Sequence, residues 1–329
     1  MISSKIGSAP FLHNSETTFN FHIDLLIGLL AVMVIAVVQN GFRVLSLCLL
    51  SAFSAWLVET VGLLLLKRRG DTDLRSIAMG MIIALICPVT VPVWLPVSAA
   101  VFSVLFIRVL LAVNYKTLFI TPVIAWLYML SVAPSEMTTY PAMRFFGAFP
   151  LIENVDGFAA TGSIAQQLQA NQMPSYSFMD LLSGNYPGGM GTTCIFVILC
   201  TCLYFIYRKS MAWQVSLSMI ITVSAFALIF NRTSGNLAFS VLYELTSSSY
   251  IFAAVFIAGD IINAPMQTKA KIIYGVLIGI LTMLFRYMGL AEHCVAIALF
   301  IVNLFCEFLD FLALKYNITK IRKKFSIKA

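Results

Sequence analysis

Apolar runs of bilayer-spanning length dominate this chain and restrict its fold more than any other feature. A helix needs about 20 apolar residues to cross the hydrocarbon core. Ten stretches approach that length, at 22–39, 44–66, 76–91, 93–113, 118–133, 193–207, 213–230, 238–259, 272–288 and 293–314, the third and sixth being short. A bilayer core holds no water to bond stray N–H and C=O groups, so such runs must form helices. The expected fold is an all-α polytopic membrane protein with about ten transmembrane helices. Composition agrees: 60% of the residues are hydrophobic and 11% charged, where a soluble domain is nearer half apolar and a quarter charged. The first residues (SSKIGSAPFLHNSETT) are polar and precede the first apolar run, an order unlike that of a cleaved signal peptide.

The net charge of +7 does not indicate nucleic acid as a partner, because the basic residues sit beside apolar segments, where membrane orientation accounts for them. With a cytoplasmic N-terminus and alternating spans, sixteen of the 21 Lys and Arg fall in cytoplasmic segments. Four (Arg43, Arg144, Arg232 and Arg286) fall on the other side, and Arg108 lies within a span. This bias places both termini in the cytoplasm and favours an even number of spans. The basic tail, 315–329, is suited to anionic lipid.

One connection, 134–191, is long, rich in Pro, Gly, Ser and Gln, and extracytoplasmic in this topology. Loops of this length are usually functional or disordered. It divides the chain into five-span halves, 1–133 and 192–314, which run in opposite directions because five is odd. Span three ends in ICPVTVP (86–92) and span eight in DIINAP (260–265), both Pro-containing interruptions. Matched interruptions point to an inverted repeat around a central ligand site.

Ionisable residues inside spans are functional candidates by default. Glu59 and Glu244 are candidates for a Na⁺ or H⁺ pathway, with a buried structural pair as the competing reading. Asp24, Arg108 and Asp310 lie near span ends, within snorkelling reach of the interface, and Glu307 shares a helical face with Asp310. The seven cysteines fall in or beside apolar runs and read as packing residues. No metal-spaced set, phosphate-binding loop, nucleophile elbow or dinucleotide fingerprint occurs, so no residue is singled out as catalytic. Redox chemistry would require a bound cofactor.

Three stretches resemble a known family: SAPFLHNSETT before the first span, LLSGNYPGGMGTT (181–193), and FIAGDIINAPMQTKAKIIYGVLIGILTMLFR (256–286). In the last, Asp260, Pro265, Lys269, Lys271, Tyr274, Gly275 and Gly279 fall on matching positions. The chain resembles the D subunit of the Rnf electron-transport complex and the homologous B subunit of the sodium-pumping NADH:quinone oxidoreductase. The resemblance implies ten helices in two inverted five-helix repeats, other subunits as partners, and part of a translocase rather than an enzyme acting alone. It implies a flavin mononucleotide (FMN) joined by a phosphoester to a threonine near the extracytoplasmic face, and a second, non-covalent flavin (riboflavin) among the helices. Thr161 is the position matching the ester site, with Ser163 second. Thr121, Pro122, Gly188 and Gly191 fall in segments where flavin contacts are expected, and Asp260 and the Pro265 loop are implied to pack against a central flavin or gate the pathway. The chain departs from the family at three places: Phe158-Ala159 precede Ala160-Thr161 where the family has Ser/Thr-Gly, with Asp156 five rather than six residues before the threonine; Ile120-Thr121-Pro122-Val123 stands for Phe-Asn-Pro-Ala; and Thr192 stands for Glu. A small-solute transporter or channel, and a flavin-free structural subunit, fit the same architecture.

Overall fold

The computed structural model describes residues 18–66, 74–111, 119–141, 150–153, 160–170, 172–230, 232 and 237–326, with side chains from Phe19 to Tyr316. Among these, four helical stretches are long and apolar enough to cross a membrane: Phe19–Asn40, Arg43–Leu65, Leu237–Ile257 and Thr268–Tyr287. The pair Cys294–Leu304 and Cys306–Tyr316, bent by 50°, makes a fifth. Five shorter apolar helices accompany them: Leu74–Ile86, Trp94–Leu110, Thr121–Val132, Ile195–Arg208 and Trp213–Ile229.

In chain order the elements are α1 (Thr18–Asn40), α2 (Arg43–Leu65), α3 (Leu74–Ile86), α4 (Trp94–Ser103, continuing as a π-helix over Val104–Leu110), α5 (Thr121–Val132) and α6 (Pro134–Thr138). A two-stranded ribbon, β1 (Tyr140–Pro141) and β2 (Ala160–Thr161), and the short helices α7 (Ile164–Gln169) and α8 (Phe178–Ser183) follow. Then come α9 (Ile195–Arg208), α10 (Trp213–Ile229), α11 (Leu237–Thr246), a 3-10 turn (Ser247–Ser249), α12 (Tyr250–Phe252, continuing as a π-turn over Ala253–Ile257), α13 (Thr268–Tyr287), α14 (Cys294–Leu304) and α15 (Cys306–Ser326).

The long helices run back and forth between two ends of the bundle. The beginnings of α1 and α3, the end of α9 and the Asp260 turn meet at one end, the Asp260 end. The end of α1 and the beginning of α2 meet the 140–193 region at the other, the Thr161 end, through Gln39 on Ser183 O and Arg43 on Pro150 O. At 1.5 Å per residue, α1 alone separates them by about 35 Å.

Burial sorts the helices into centre and rim. α1 exposes Ile27, Leu30, Val34 and Val38 and buries Leu29, Val32, Met33 and Ala36, so one apolar stripe faces the core and another faces out. Exposed apolar residues at three-to-four spacing also mark α9 (Phe196, Leu199, Leu203, Ile206), as for a helix against lipid. α3 differs, because residues 78–86 are all buried, and so are residues 250–258. A helix buried on every side belongs at the centre.

Both central segments are interrupted, each in its own way. At 13 residues, α3 rises about 20 Å against a core of about 30 Å. It stops where Pro88 disfavours helical backbone at Cys87. The freed carbonyls are satisfied at once: Leu85 O accepts from Gly191 N and Cys87 O from Met190 N, both at 2.9 Å. Glycine is needed for this approach, since a Cβ on Gly189 would lie 2.4 Å from Ile86 O. The other central span is broken in its middle, where Ser248 and Ser249 take left-handed φ of 53° and 56°. That break differs from the expected one: the sequence places the interruption at 260–265, and the structure adds another at the SSS turn.

Candidate functional site

The Thr161 end carries a compact polar site. β1 and β2 pair antiparallel, Tyr140 opposite Thr161 and Pro141 opposite Ala160. Immediately after β2, Ser163 caps α7: its hydroxyl accepts from Gln166 N at 3.2 Å while Gln166 Oε1 accepts from Ser163 N at 3.1 Å, a reciprocal capping box. Ser163 Oγ also donates to Glu292 Oε1, and the Tyr140 phenol hydrogen-bonds the same carboxyl. Glu292, in the α13–α14 turn, is buried at 6% exposure. Burial raises its carboxyl above the usual range, and Ser163, Arg286 and Tyr140 pull it back. Burial and then Glu292 push the Tyr140 phenol well above its ordinary value, so it remains a donor.

Thr161 itself is half-buried, and its Oγ1 is buried with no hydrogen-bond partner among the described residues. The sequence placed this hydroxyl on a soft, accessible loop; β-pairing with Tyr140 turns it inward instead. The preceding motif residues, Asp156, Phe158 and Ala159, lie outside the described residues. Beside the ribbon run two small clefts that share Tyr186, Pro187 and Gly188. One, of about 50 Å³, reaches Asn40 and Tyr176; the other reaches Glu292 and the Ser247–Ser249 turn. Gly188 thus lines both clefts, whose walls include Tyr140, Pro141 and Ser163 but not Thr161, whereas Gly191 packs on Leu85.

Next to this site lies a buried charge group. Arg286 Nη1 donates to Glu244 Oε2 at 2.8 Å and to Glu244 O at 2.7 Å, and Nη2 donates to Ser247 O at 3.1 Å. Arg232 Nη1 approaches Glu244 Oε1 at 3.6 Å. The carbonyls freed where the span breaks thus find a guanidinium of the chain itself. Glu59 likewise has a partner, Arg108 Nη2 on the α4 π-helix, at 2.7 Å. Lys67, near Glu59 in sequence, is outside the described residues.

The Asp260 end gathers other candidates. Asp260 accepts from Arg75 at 3.1 Å and from Asn263 Nδ2 and Ile262 N, which locks the turn into α13. Pro265 is buried in that turn. Asp310 accepts from Met266 N (2.9 Å) and Gln267 N (3.0 Å), a cap for α13 supplied by α15, while Glu307 is exposed. Asp24 and Arg208 pair at 3.2 Å, with Tyr204 also donating to Asp24. The expected snorkelling of Asp24, Arg108 and Asp310 is replaced by specific partners. Thr121 and Pro122 are buried at the first turn of α5.

The cofactor candidates thus separate: Thr161, Gly188 and Gly191 lie at one end, Asp260 and Pro265 at the other, and Thr121 and Pro122 stand apart from both at the start of α5. Sequence reasoning missed Glu292, Tyr140 and the two arginines that flank Glu244. The Ser-Ser-Ser run before Tyr250 was the available signal for the break. Among the described residues no group of three or more His, Cys, Asp or Glu could hold a metal ion. Cys48, Cys87, Cys194 and Cys294 are buried thiols.

Comparison with known proteins matches residues 5–319 to the model of the NQR2, RnfD, RnfE family. The D subunit of the ion-translocating oxidoreductase complex of Haemophilus ducreyi is 23% identical over 93% of this chain and 96% of its own length. The D subunit of the Na⁺-translocating ferredoxin:NAD⁺ oxidoreductase complex of Acetobacterium woodii is 24% identical over 97% of each. The B subunit of the Na⁺-translocating NADH-quinone reductase of Chromohalobacter salexigens is 24% identical over 78% of this chain and 62% of that protein.

Proposed function

The chain belongs to the NQR2, RnfD, RnfE family, and on that premise we propose that it carries electrons through flavin and couples their passage to Na⁺ or H⁺ movement within a multi-subunit complex. It is a multi-pass membrane protein of that family. The observation that carries the flavin reading is the buried Thr161 hydroxyl, which has no partner among the described residues, in a ribbon whose neighbouring residues Tyr140, Pro141 and Ser163 line clefts shared with Gly188. A buried hydroxyl left unbonded is destabilising by about 1–3 kcal/mol, and such groups in native structures call for an explanation. Ester formation at Thr161 Oγ1 supplies one, because it removes the O–H donor. Ser163 is the poorer acceptor, since its hydroxyl already caps α7 and bonds Glu292.

FMN at Thr161 would supply one- and two-electron transfer. Tyr186 and Gly188, which line both neighbouring clefts, would be the residues to contact the attached group. A second, non-covalent flavin, riboflavin, is proposed among the helices, with Thr121, Pro122 and the locked Asp260–Pro265 turn as its candidate contacts. Ion passage near Glu59 or Glu244 requires a cation to compete with Arg108, or with Arg286 and Arg232, for the carboxylate.

The reading includes ten spans in two inverted repeats, 1–133 and 192–314, with cytoplasmic termini, a basic tail at 315–329 and an extracytoplasmic 134–191 connection in a bacterial inner membrane. Support for the repeat lies at the joints. α1 ends at Gly41 with φ 83°, and α9 ends at Lys209 with φ 56°. After the first joint, Arg43 bonds carbonyls of the loop following α3. After the second, Ala212 N donates to Gly259 O at 2.8 Å in the loop following the other central span.

The test is in-gel fluorescence of the denatured, purified protein made with a flavin transferase. A fluorescent band is expected, and it disappears in Thr161→Ala. No band from the unaltered chain overturns covalent attachment. Absence of extractable flavin as well favours the transporter or flavin-free structural reading.

A further inference from the structure

The β1–β2 ribbon is only two residue pairs long. A ribbon this short holds poorly on its own backbone bonds, so side chains must fix it. The turn between α13 and α14 supplies one that touches β1 and the cap of α7, two residues past β2. Glu292 takes the Tyr140 phenol from β1 and the Ser163 hydroxyl from just beyond β2. Tyr140 is also the residue opposite Thr161. Two small clefts run beside the ribbon, one of about 50 Å³ and the other smaller, and Thr161 lines neither. A group attached at Thr161 therefore needs the ribbon to move.

We infer that Glu292 is a positioning residue for Thr161: it clamps β1 and the segment just after β2 to the α13–α14 turn and holds the Thr161 hydroxyl out of solvent, so that release of the clamp presents the hydroxyl. This inference rests on the reading of Thr161 as an attachment point only for its purpose; the clamp itself is testable without flavin.

The groups that bear on Glu292 are few. Tyr140 faces it from β1, Arg286 from α13 and Cys294 from α14, while α7 contributes the neutral Ser163. Its carboxyl is raised in the closed ribbon chiefly by burial. A carboxyl raised in the closed state contributes closed-state stability that is full below its open-state value and is lost as pH rises through the closed value. Rising pH therefore favours release. Glutamine imitates the protonated acid and keeps the ribbon closed at every pH, whereas alanine removes both bonds.

The experiment measures maleimide labelling of Thr161→Cys in the purified full chain, read on the peptide that contains residue 161 so that Cys200 and the other thiols do not count. Expected is slow labelling in the Glu292 background and labelling about tenfold faster with Glu292→Ala, in keeping with the loss of one or more buried hydrogen bonds. Glu292→Gln is expected to match the parent at low pH. The parent-to-Gln rate ratio, which cancels the thiol's own titration, is expected to climb as pH rises. Tyr140→Phe with Ser163→Ala is expected to label like Glu292→Ala, and adding Glu292→Ala to that pair to change nothing more. Equal labelling in parent and Glu292→Ala overturns the clamp, and so does a parent-to-Gln ratio that is flat with pH. A missing flavin band from the Thr161 chain, with this labelling pattern intact, removes the flavin reading and leaves the clamp.

Discussion

Arg43 is fully buried, and its guanidinium ties together the loop after α3 and the 150–153 segment. Nε donates to Val89 O at 2.7 Å, Nη2 to Val91 O at 2.9 Å, and Nη1 to Pro150 O and Glu153 O, both at 2.6 Å. The four acceptors are not equivalent. Residues 150 and 153 are exposed, so water can replace the arginine there; Val89 and Val91 are buried, and their carbonyls have no such substitute. Arg43→Met therefore orphans two buried acceptors, at about 1–3 kcal/mol each, or ~2–6 kcal/mol together. Arg43→Lys keeps the charge but not the planar fork, so it retains about one of the buried bonds and is destabilising by roughly half as much. Near 2 °C per kcal/mol for a chain of this size, thermal unfolding followed by tryptophan fluorescence in detergent should fall by about 4–12 °C in Arg43→Met and by about half that in Arg43→Lys. Protease cleavage at 150–153 should rise in both. A melting temperature for Arg43→Met within about 1 °C of the parent would refute the view that this side chain secures the broken end of α3.

Two further outcomes follow from other parts of the bundle. Lys209 is exposed and sits at the end of α9 with φ 56°, so Lys209→Gly should stabilise the protein by about 1 kcal/mol in the same melting assay, and a lower melting temperature would contradict the strain argument. Glu244→Gln leaves the buried Arg286 and the half-buried Arg232 without their counter-charge and should destabilise by about 3–5 kcal/mol, with Arg286→Gln restoring much of the loss; full stability of the single variant would mean that the charge group is not structural.

Much of the helical framework was legible because apolar length is a strong local signal. Among the described residues, the four or five helices long enough to cross a membrane and the five shorter apolar ones each lie on an apolar run in the sequence. The shortness of α3 was legible too, since Pro88 follows its last turn. What periodicity could not see was a one-turn interruption inside an apolar run: LTSSSYIF reads as continuous helix, yet Ser248 and Ser249 take left-handed backbone. The partners of the buried carboxylates were equally hidden. Arg286 lies 42 residues from Glu244 and Arg108 lies 49 from Glu59, with no local pattern linking them. Glu292 escaped notice because it stands in a short turn, where a lone carboxyl is ordinarily solvated; only the fold puts Tyr140 and Ser163 over it. Thr161 was visible as a hydroxyl among small residues, but its inward orientation depends on pairing with Tyr140, 21 residues earlier.

The two central spans also explain why similarity between the halves is faint even under the proposed inverted repeat. Each half must solve the same problem: a short central helix leaves backbone carbonyls without intrahelical partners in a medium that offers no water. At the Thr161 end a side chain solves it, with Arg43 reaching Val89 and Val91, helped by the glycine-dependent approach of 189–191. At the Asp260 end the backbone does, through Ala212 on Gly259 and the bridge between Met211 and Asp260, with Arg75 gripping the aspartate side chain. In the middle of the second central span, Arg286 does it again for Glu244 and Ser247. The geometry demands a donor at each break and not any one residue. Glycine ends α1 while lysine ends α9 in the same backbone region, and arginine side chains stand where main-chain N–H groups stand in the other half. Selection on donors leaves the joints alike in shape and unlike in sequence.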